Sequence, residues 1–307
     1  MVKIIYIAKN KPHIGHWSWI QILRGLFKDK FQLMNLNRLK LISNSIIVAE
    51  GTKATLYGAL IKPLNNCLAG VALSPSVLQP RVNKLYSTAD VGVAVSSMVF
   101  DLLPSKRKTI IYPRPPELEH LLNINVDNIK KPWICYLGPL ISIKGIHLIP
   151  EIARHVVKDV KNAKFIIIGD GMRDVVISKA IKYGLNDSLT TTGYIPRIEV
   201  FNLLRKCSVY IQPSLFDAFS VAVIEAMALG VVPVITKYVG SKDIVAKVDK
   251  GLVQEYNAER IANKIVEVLN SRSLKELMAL SRYVVGEELS MEITKRRVIS
   301  AIELCLK

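Results

Sequence analysis

Two carboxylates eight positions apart mark the part of the sequence best suited to chemistry. Residues 217–230 read DAFSVAVIEAMALG, and the pattern predicts a helix from about Ser220 to Leu229 with Glu225 in its middle. The neighbours of Glu225 at three and four positions on either side are all non-polar. An ionised carboxylate there costs several kcal/mol unless something pairs with it. Either a Lys, an Arg or backbone amides of a neighbouring loop pair with Glu225, or it borders a ligand cavity.

Asp217 lies just before this helix. Its carboxylate can cap the start of the helix, contact a ligand, or do both. The amides of Phe219, Ser220 and Val221 come where a helix leaves its first N–H groups unsatisfied, so they would face an anion such as a phosphate. Two acids at this spacing do not by themselves define a site.

The overall composition indicates a globular chain that spans no membrane. Its 307 residues, half of them hydrophobic, suit two domains of about 150 residues each. The longest apolar runs reach about six to eight residues, far short of the roughly 20 that a spanning helix needs. The start, MVKIIYIAKN, predicts a first strand and not a signal peptide. Four isolated cysteines in apolar contexts predict buried thiols in a reducing compartment, and hence a cytoplasmic protein.

The net charge of +17 favours anionic partners. It divides into +10 for residues 1–130, with 17 basic and 7 acidic residues, and +7 for the remainder. Phosphorylated substrates, anionic lipid surfaces and nucleic acid are the candidates, and a surface tuned for solubility is the alternative. The cations are scattered apart from SKRK at 105–108, and no zinc finger or aromatic RNA-binding pattern accompanies them. Nucleic acid is therefore not favoured, whereas peripheral contact with an anionic membrane surface stays open.

Short Val- and Ile-rich runs alternate with helical patterns along the whole chain. This alternation predicts an α/β protein with parallel strands covered by helices on both faces. The Pro- and Asn-rich stretch 112–132 predicts a linker between two doubly wound units. Ligands of such sheets lie beyond the carboxyl ends of the strands. The candidate site is therefore formed by the loops that follow WICYLG, KFIIIG and SVYIQP.

One long run resembles the signature of the group 1 (family 4) retaining glycosyltransferases. The family's signature is an acid, then a Phe-Gly pair, then a Glu within a helix of small residues, and last a strand that begins Gly-x-Pro-Val. A similar order is found in the run PSLFDAFSVAVIEAMALGVVPVIT. YLGPLISIKGIHLI, KFIIIGDGMRD, LTTTGYIPRIEV and VGSKDIV follow the family's order, so the resemblance is strong over residues 131–270 and looser before them. It implies the GT-B fold, two Rossmann-like doubly wound domains facing each other across a cleft. The expected domains are a shortened acceptor domain at 1–128, a donor domain at 129–285, and a C-terminal helix at 286–307 that packs back on the first domain.

The resemblance implies a retaining enzyme that moves a sugar from a UDP- or GDP-type donor to a hydroxyl of a lipid, glycan or protein. It implies no metal and no cofactor besides the donor substrate. The family's donor contacts transfer to matching residues of this chain. Glu225 matches the residue that contacts the ribose, Asp217 the one that contacts the sugar, and Lys144 the one that contacts the diphosphate. Phe219, Ser220 and Val221 match the loop whose amides face the sugar and phosphate, and Gly138 is a further donor-binding residue. Tyr194 and Ile195 match the segment that meets the base. Asp217, Lys144 and Glu225 are the expected catalytic set. The buried carboxylate of Glu225 is then expected to find its compensation in the sugar nucleotide and not in the polypeptide.

Several positions depart from the family's pattern. Pro139 stands where the family has an Arg, so one of the two positive side chains expected to bind the phosphates is missing. Arg173 would then supply the second positive charge. Asp217 is shorter than the usual Glu, and Ser220 replaces a Gly. In the first domain, SPS at 74–76 stands where the family has a His. The loop NKPHIGHW keeps a lone Gly15, with His13 and His16 as substitutes on the acceptor side.

Two other classes of protein compete with this interpretation. A GT-B-shaped epimerase or phosphorylase would need its own acid/base set or a Lys for pyridoxal phosphate, and the sequence carries no specific signal for either. A degenerate, non-catalytic protein that binds a sugar nucleotide or a polyanion is the stronger alternative. Pro139 and the missing His of the first domain motivate it.

Overall fold

The chain folds into two compact units, each built on one parallel sheet. The computed structural model describes residues 2–8, 11–38, 41–73, 78–126 and 130–307, and of Arg38 it describes the backbone alone. The first unit comprises Met1–Pro116 with Leu289–Lys307, and the second comprises Glu117–Glu288. Both units have the predicted α/β class.

The first unit is a six-stranded sheet in the order β2-β1-β3-β4-β5-β6, and every neighbouring pair is parallel. Its strands are β1 Lys3–Ala8, β2 Phe31–Asn35, β3 Ser45–Glu50, β4 Cys67–Ala72, β5 Val91–Ala94 and β6 Arg107–Ile110. β3 and β4 are buried along their whole length, as expected of parallel strands with helices on both faces. The edge strand β2, FQLMN, is absent from the sequence prediction because it has no Val or Ile run.

Four helices connect these strands. They are α1 Trp17–Phe27, α2 Gly51–Ile61, α3 Pro80–Tyr86 and α4 Ser97–Leu102. α2 packs against β3 and β4 and has α3 beside it.

The second unit has the sheet order β12-β11-β10-β7-β8-β9, again parallel throughout. Its strands are β7 Lys131–Leu137, β8 Lys164–Ile168, β9 Leu189–Gly193, β10 Cys207–Gln212, β11 Val232–Thr236 and β12 Val253–Gln254. Its helices are α5 Leu118–Asn123, α6 Ile149–Asp159, α7 Arg173–Lys182, α8 Arg197–Leu204, α9 Val221–Ala228, α10 Lys242–Val245, α11 Ala258–Asn270 and α12 Leu274–Glu288.

The last helix of the chain, α13 Met291–Leu306, belongs to the first unit and packs on α1 and on β4, β5 and β6. Of all the helices in the described part of the chain, none has both the length and the apolar character needed to span a bilayer.

The stretch predicted as a linker contains structure. Leu118–Asn123 form α5, and Leu118 and Leu121 are buried in the second unit. Arg282 of α12 holds this helix in place, because its guanidinium donates to the carbonyls of Leu122 and Ile124. The helix has no long apolar period, so its sequence alone did not indicate it.

The prediction of four unpaired thiols is wrong. Cys67 of β4 is disulfide-bonded to Cys305 of α13, and Cys135 of β7 to Cys207 of β10. The partners are 238 and 72 residues apart in the chain, and only the packing of α13 on β4 and of β7 beside β10 brings them together. The cysteines therefore no longer argue for a reducing compartment, where stable disulfides are rare.

We expect the protein, denatured without reductant, to release no free thiol in an Ellman titration, and four thiols after reduction. Cys305→Ser should lower the free energy of unfolding, by up to about 5 kcal/mol if the bond acts by restricting the unfolded chain. The control is the same variant compared with wild type in excess reductant, where the difference should nearly vanish. Four titratable thiols before reduction would contradict the pairing.

Candidate functional site

The carboxyl ends of β7 and β10 bring together two of the predicted residues. Lys144 lies in the loop after β7 and Asp217 in the loop after β10, and Lys144 Nζ is 2.6 Å from Asp217 Oδ2. Both side chains are largely buried, with 19% and 13% of their surfaces exposed. Because β7 and β10 are neighbours in a parallel sheet, residues 73 positions apart meet at one edge. The ion pair places one cation and one anion beside the start of α9.

Glycines allow these loops to approach one another closely. Gly145, next to Lys144, has φ +69°, and a Cβ there would lie 1.7 Å from the carbonyl oxygen of Pro213 in the β10 loop. In the same way, a Cβ on Gly169, in the loop after β8, would lie 1.9 Å from the carbonyl oxygen of Gly138. Any other residue at Gly145 or Gly169 would push the loops apart. Gly138 thus has a structural role in the turn, beside the donor contact predicted for it.

The start of α9 is shaped by the backbone of the Asp217 loop. The amide of Phe219 donates to Asp217 Oδ1 at 3.4 Å, so Asp217 touches both Lys144 and the helix entrance. Ser220 has φ +70°, a left-handed conformation that costs a non-glycine residue roughly 1–2 kcal/mol. This explains physically why a Gly suits the position. The side chain of the N-cap residue Ser220 makes no capping hydrogen bond, and Ser220 and Val221 are only half-buried.

Glu225 lies in the middle of α9 and is 2% exposed. The expectation that its compensation comes from a ligand and not from the polypeptide is wrong, because Arg197 at the start of α8 makes a two-pronged ion pair with it. Nη2 of Arg197 donates to Oε1 of Glu225, and Nη1 donates to Oε2 at 3.2 Å. Of the alternatives left open by the sequence, an Arg partner is the one observed.

A second acid shares the guanidinium. Glu117 Oε2 is 3.4 Å from Arg197 Nη2, on the more exposed side of the cluster. Burial raises the pKa of Glu225, and the hydrogen bonds and charge of Arg197 oppose that rise. Neither Arg197 nor Glu117 was among the predicted site residues. Arg197 lies only three positions after Tyr194 in a motif already singled out, whereas nothing in the sequence links Glu117 to Glu225.

The segment after β9 presents the residues predicted to meet a base. Tyr194 follows Gly193 and is 88% exposed, and Ile195 is half-buried. Arg173, at the start of α7, lies against this strand, with its Nη2 3.5 Å from Thr191 Oγ1. Its contacts are thus with β9 and not with the Lys144–Asp217 pair. The suggestion that Arg173 replaces the cation missing at Pro139 stays a prediction.

In the first unit, the loop at 13–16 is held by an acid that sequence reasoning missed. Glu50, at the end of β3, accepts the amide of His13 at 2.6 Å on Oε1 and the hydroxyl of Tyr6 at 2.6 Å on Oε2. His16 Nδ1 is 3.2 Å from the same Oε2. Burial would raise the pKa of Glu50, but the hydrogen bond and charge of His16, with the bonds from Tyr6 and His13, lower it.

This cluster separates the two predicted histidines. His16 is fully buried and stacks on Trp19, with ring centroids 3.9 Å apart. His13 is exposed, and the amide of Gly15 donates to its Nδ1 at 3.3 Å. A direct ligand contact is therefore open to His13, whereas His16 can only support the loop. The SPS segment at 74–76 lies outside the described residues.

Within the described residues, no three His, Cys, Asp or Glu side chains converge as a metal site would require.

The family model described as "Glycosyl transferases group 1" matches residues 121–284, just over half of the chain. The chain belongs to this family. The matched residues include Lys144, Arg197, Asp217 and Glu225, so the Lys144–Asp217 and Arg197–Glu225 ion pairs both lie within the family region.

Two relatives show how far the similarity extends. An uncharacterized glycosyltransferase of Methanocaldococcus jannaschii is 22% identical over 96% of this chain and 83% of its own length. The N,N'-diacetylbacillosaminyl-diphospho-undecaprenol alpha-1,3-N-acetylgalactosaminyltransferase of Campylobacter jejuni is 26% identical over 63% of this chain and 47% of its own length. The chain thus spans less than half of the second relative.

Among solved structures, HepE of Anabaena in complex with UDP and glucose superposes with a TM-score of 0.75. It is 15% identical and the match covers 99% of this chain and 100% of that one. At this identity the likeness concerns the fold, which is GT-B, as the resemblance implied.

The Arg197–Glu225 pair makes a prediction about stability. Arg197→Ala leaves a buried carboxylate uncompensated and should lower the free energy of unfolding by about 3 kcal/mol near neutral pH. The pKa of Glu225 is raised in the folded state. Protonation of Glu225 therefore stabilises the fold at low pH, and this contribution is lost as pH rises. Removing Arg197 takes away the charge that opposes the shift and raises the pKa of Glu225 further. The deficit of the variant should therefore grow as pH rises above the ordinary pKa of a Glu side chain, about 4.3, when it is measured by urea denaturation.

Glu117→Gln provides the matched control for this measurement. It removes the more exposed acid of the same cluster and should cost under about 1 kcal/mol. An Arg197→Ala deficit that is equally small, or that shrinks with rising pH, would mean that the pair does not compensate Glu225.

Proposed function

We propose that the protein is a retaining glycosyltransferase that moves a sugar from a nucleotide-diphosphate sugar to a hydroxyl acceptor. The Lys144–Asp217 pair beside the entrance of α9, in a chain of a glycosyltransferase family, is the observation that carries the proposal. It supports a donor site because an ion pair at the carboxyl edge of a parallel sheet can open to receive a ligand that bears both phosphates and hydroxyls.

The diphosphate would bind to Lys144 and to the first amides of α9. The Lys144 ammonium is a compact positive charge with three donors, and the start of α9 adds the positive end of the helix dipole. Asp217, freed from Lys144, would accept hydroxyls of the sugar. Because Asp217 already receives the Phe219 amide on Oδ1, the oxygen released by Lys144 is Oδ2.

Glu225 would accept the ribose hydroxyls although Arg197 is bound to it. A carboxylate offers about four lone-pair positions, and Arg197 uses two of them. The guanidinium opposes the rise that burial causes in the pKa of Glu225, and so favours the ionised carboxylate, which is the stronger acceptor for hydroxyls. Arg197 is thus a positioning residue for the donor, and Tyr194 offers its exposed ring to the base.

The reaction breaks the bond between the anomeric carbon and the diphosphate oxygen. The acceptor hydroxyl attacks the same face of the sugar, and its proton leaves with the departing diphosphate. Lys144 offsets the negative charge that develops on the diphosphate, an effect that typically contributes a few kcal/mol to catalysis. His13, exposed on its loop in the first unit, is the candidate contact for the acceptor, and Glu50 holds that loop in place. We propose that neither a metal nor a cofactor takes part, and that the donor is of the UDP or GDP type, since HepE of the same fold binds UDP.

Variants of the three charged residues test the donor site. In titration calorimetry with a panel of UDP- and GDP-sugars, Glu225→Gln and Asp217→Asn should weaken donor binding, because each loses acceptor strength toward hydroxyls. Lys144→Ala should lower the rate of nucleotide release by about 100-fold or more. Lys237→Ala, which breaks an exposed ion pair with Glu255, is the matched control and should bind and react as wild type does. Unchanged donor affinity in all three variants would overturn the site.

The stereochemistry and the metal requirement have a separate test. With the donor that the panel identifies, proton NMR of the first product should show the anomeric configuration of the donor, and chelation by EDTA should leave the rate unchanged. An inverted product or a rate restored only by a divalent cation would refute that part of the proposal.

Pro139 favours the non-catalytic alternative, since it stands where the family has an Arg that would bind a phosphate. Its carbonyl accepts the hydroxyl of Tyr136 at 2.9 Å, so the loop is tied to β7 without needing that cation. Donor binding with no nucleotide release from any sugar in the panel would establish the alternative, whereas release from one of them would exclude it.

A further inference from the structure

The outer face of α2 carries a row of exposed leucines. Leu56, Leu60 and Leu64 are 53%, 74% and 47% exposed, and they recur every four residues through α2 and the turn after it. Lys53, also exposed, lies three residues before Leu56 on the same helix face. α2 buries its other face, including Ala54 and Gly58, against the sheet. Single exposed leucines need no explanation, but a continuous row of them does.

The neighbouring helix extends this face. α3 packs beside α2, its Arg81 and Lys84 are exposed, and Leu78 just before it is half exposed. The sequence has no acidic residue from Gly51 to Leu64 or from Leu78 to Leu85. Lys62 adds a further cation, although it forms an ion pair with Asp90 at 2.7 Å. We define the α2–α3 face by Lys53, Leu56, Leu60, Lys62, Leu64, Leu78, Arg81 and Lys84.

The charge of the protein is concentrated in the unit that bears this face. The first unit, with the C-terminal helix included, has 20 basic and 6 acidic residues, a net charge of +14. The second unit has 22 basic and 19 acidic residues, a net charge of +3. The charge of +17 is therefore not a uniform feature of the surface, as solubility alone would require. The α2–α3 face combines the apolar side chains and the positive charge of its unit.

We propose that the α2–α3 face docks the protein on an anionic lipid bilayer. A helix lying in the plane of a membrane buries leucines at the boundary between head groups and acyl chains while its lysines meet anionic phosphates. Lys53, Arg81 and Lys84 are placed to make those charge contacts around the leucine row. A second protein of ordinary composition would match the leucines but not the absence of acids. The proposal does not depend on the glycosyltransferase activity, since docking needs neither donor nor acceptor.

Vesicle co-sedimentation tests the docking surface. The full-length protein should bind vesicles of phosphatidylcholine with phosphatidylglycerol and bind far less to phosphatidylcholine alone. Each basic residue near an anionic surface contributes about fivefold in affinity, so Lys53→Glu with Lys84→Glu should weaken binding by about 25-fold or more. Added salt should weaken the binding of wild type in the same direction.

Leucine variants separate insertion from general charge attraction. Leu56→Ser with Leu60→Ser should abolish most of the binding while the melting temperature stays that of wild type, because both side chains are exposed. Ile181→Ser with Ile198→Ser is the matched control, since these residues of the second unit are 60% and 63% exposed, and it should bind as wild type does.

Three results would overturn the proposal. Binding that does not depend on phosphatidylglycerol would refute the charge contacts, and wild-type binding by the leucine variant would refute the face. A dimer in light scattering that Leu56→Ser with Leu60→Ser dissociates would assign the face to a second copy of the chain.

Discussion

A carboxylate in the middle of a buried helix must be compensated, and the second unit is arranged to do so. The side chain of Glu225 is buried, and the two-pronged pair with Arg197 gives a hydrogen-bond donor to each of its two oxygens. Because Arg197 is at the start of α8, the compensation fixes the position of that helix against α9. The loops after β9 and β10 are consequently held in a fixed position relative to each other, and these loops carry Tyr194 and Asp217.

The Lys144–Asp217 pair has a different character. Both of its members lie on loops, and their approach depends on Gly145, where a side chain would collide with the Pro213 carbonyl. In the proposed donor complex these loop residues would separate, because the ammonium would gain a phosphate and the carboxylate a hydroxyl in place of the ion pair. The Glu225–Arg197 pair is two-pronged, and although 38% of the Arg197 side chain is exposed, Glu225 is buried, so breaking the pair leaves a buried carboxylate uncompensated. One pair thus forms the fixed part of the site, and the other is the part that a ligand can open.

Glu50 in the first unit solves the same physical problem by other means. It is buried at the end of β3, but an amide, a hydroxyl and an imidazole converge on its two oxygens. The pKa of Glu50 is lowered as a result, whereas the pKa of Glu225 is raised. The difference follows from the number of donors, since three groups reach Glu50 and a single guanidinium, shared with Glu117, reaches Glu225. In both units a buried acid orders the loops at the carboxyl edge of the sheet.

The sequence by itself determined the alternation of strands and helices and the GT-B class, and it indicated the loops that form the candidate site. Val- and Ile-rich strands, turn glycines and the order of the motifs are local signals, so they are readable without coordinates. It also predicted that Glu225 needs a partner, because burial in a helix follows from its neighbours. Only the tertiary structure decided that this partner is Arg197, that Glu50 holds His13 and His16, and that the four cysteines pair. Each of these contacts joins residues far apart in the chain, and a sequence pattern carries no record of which distant side chains the folded sheet brings together.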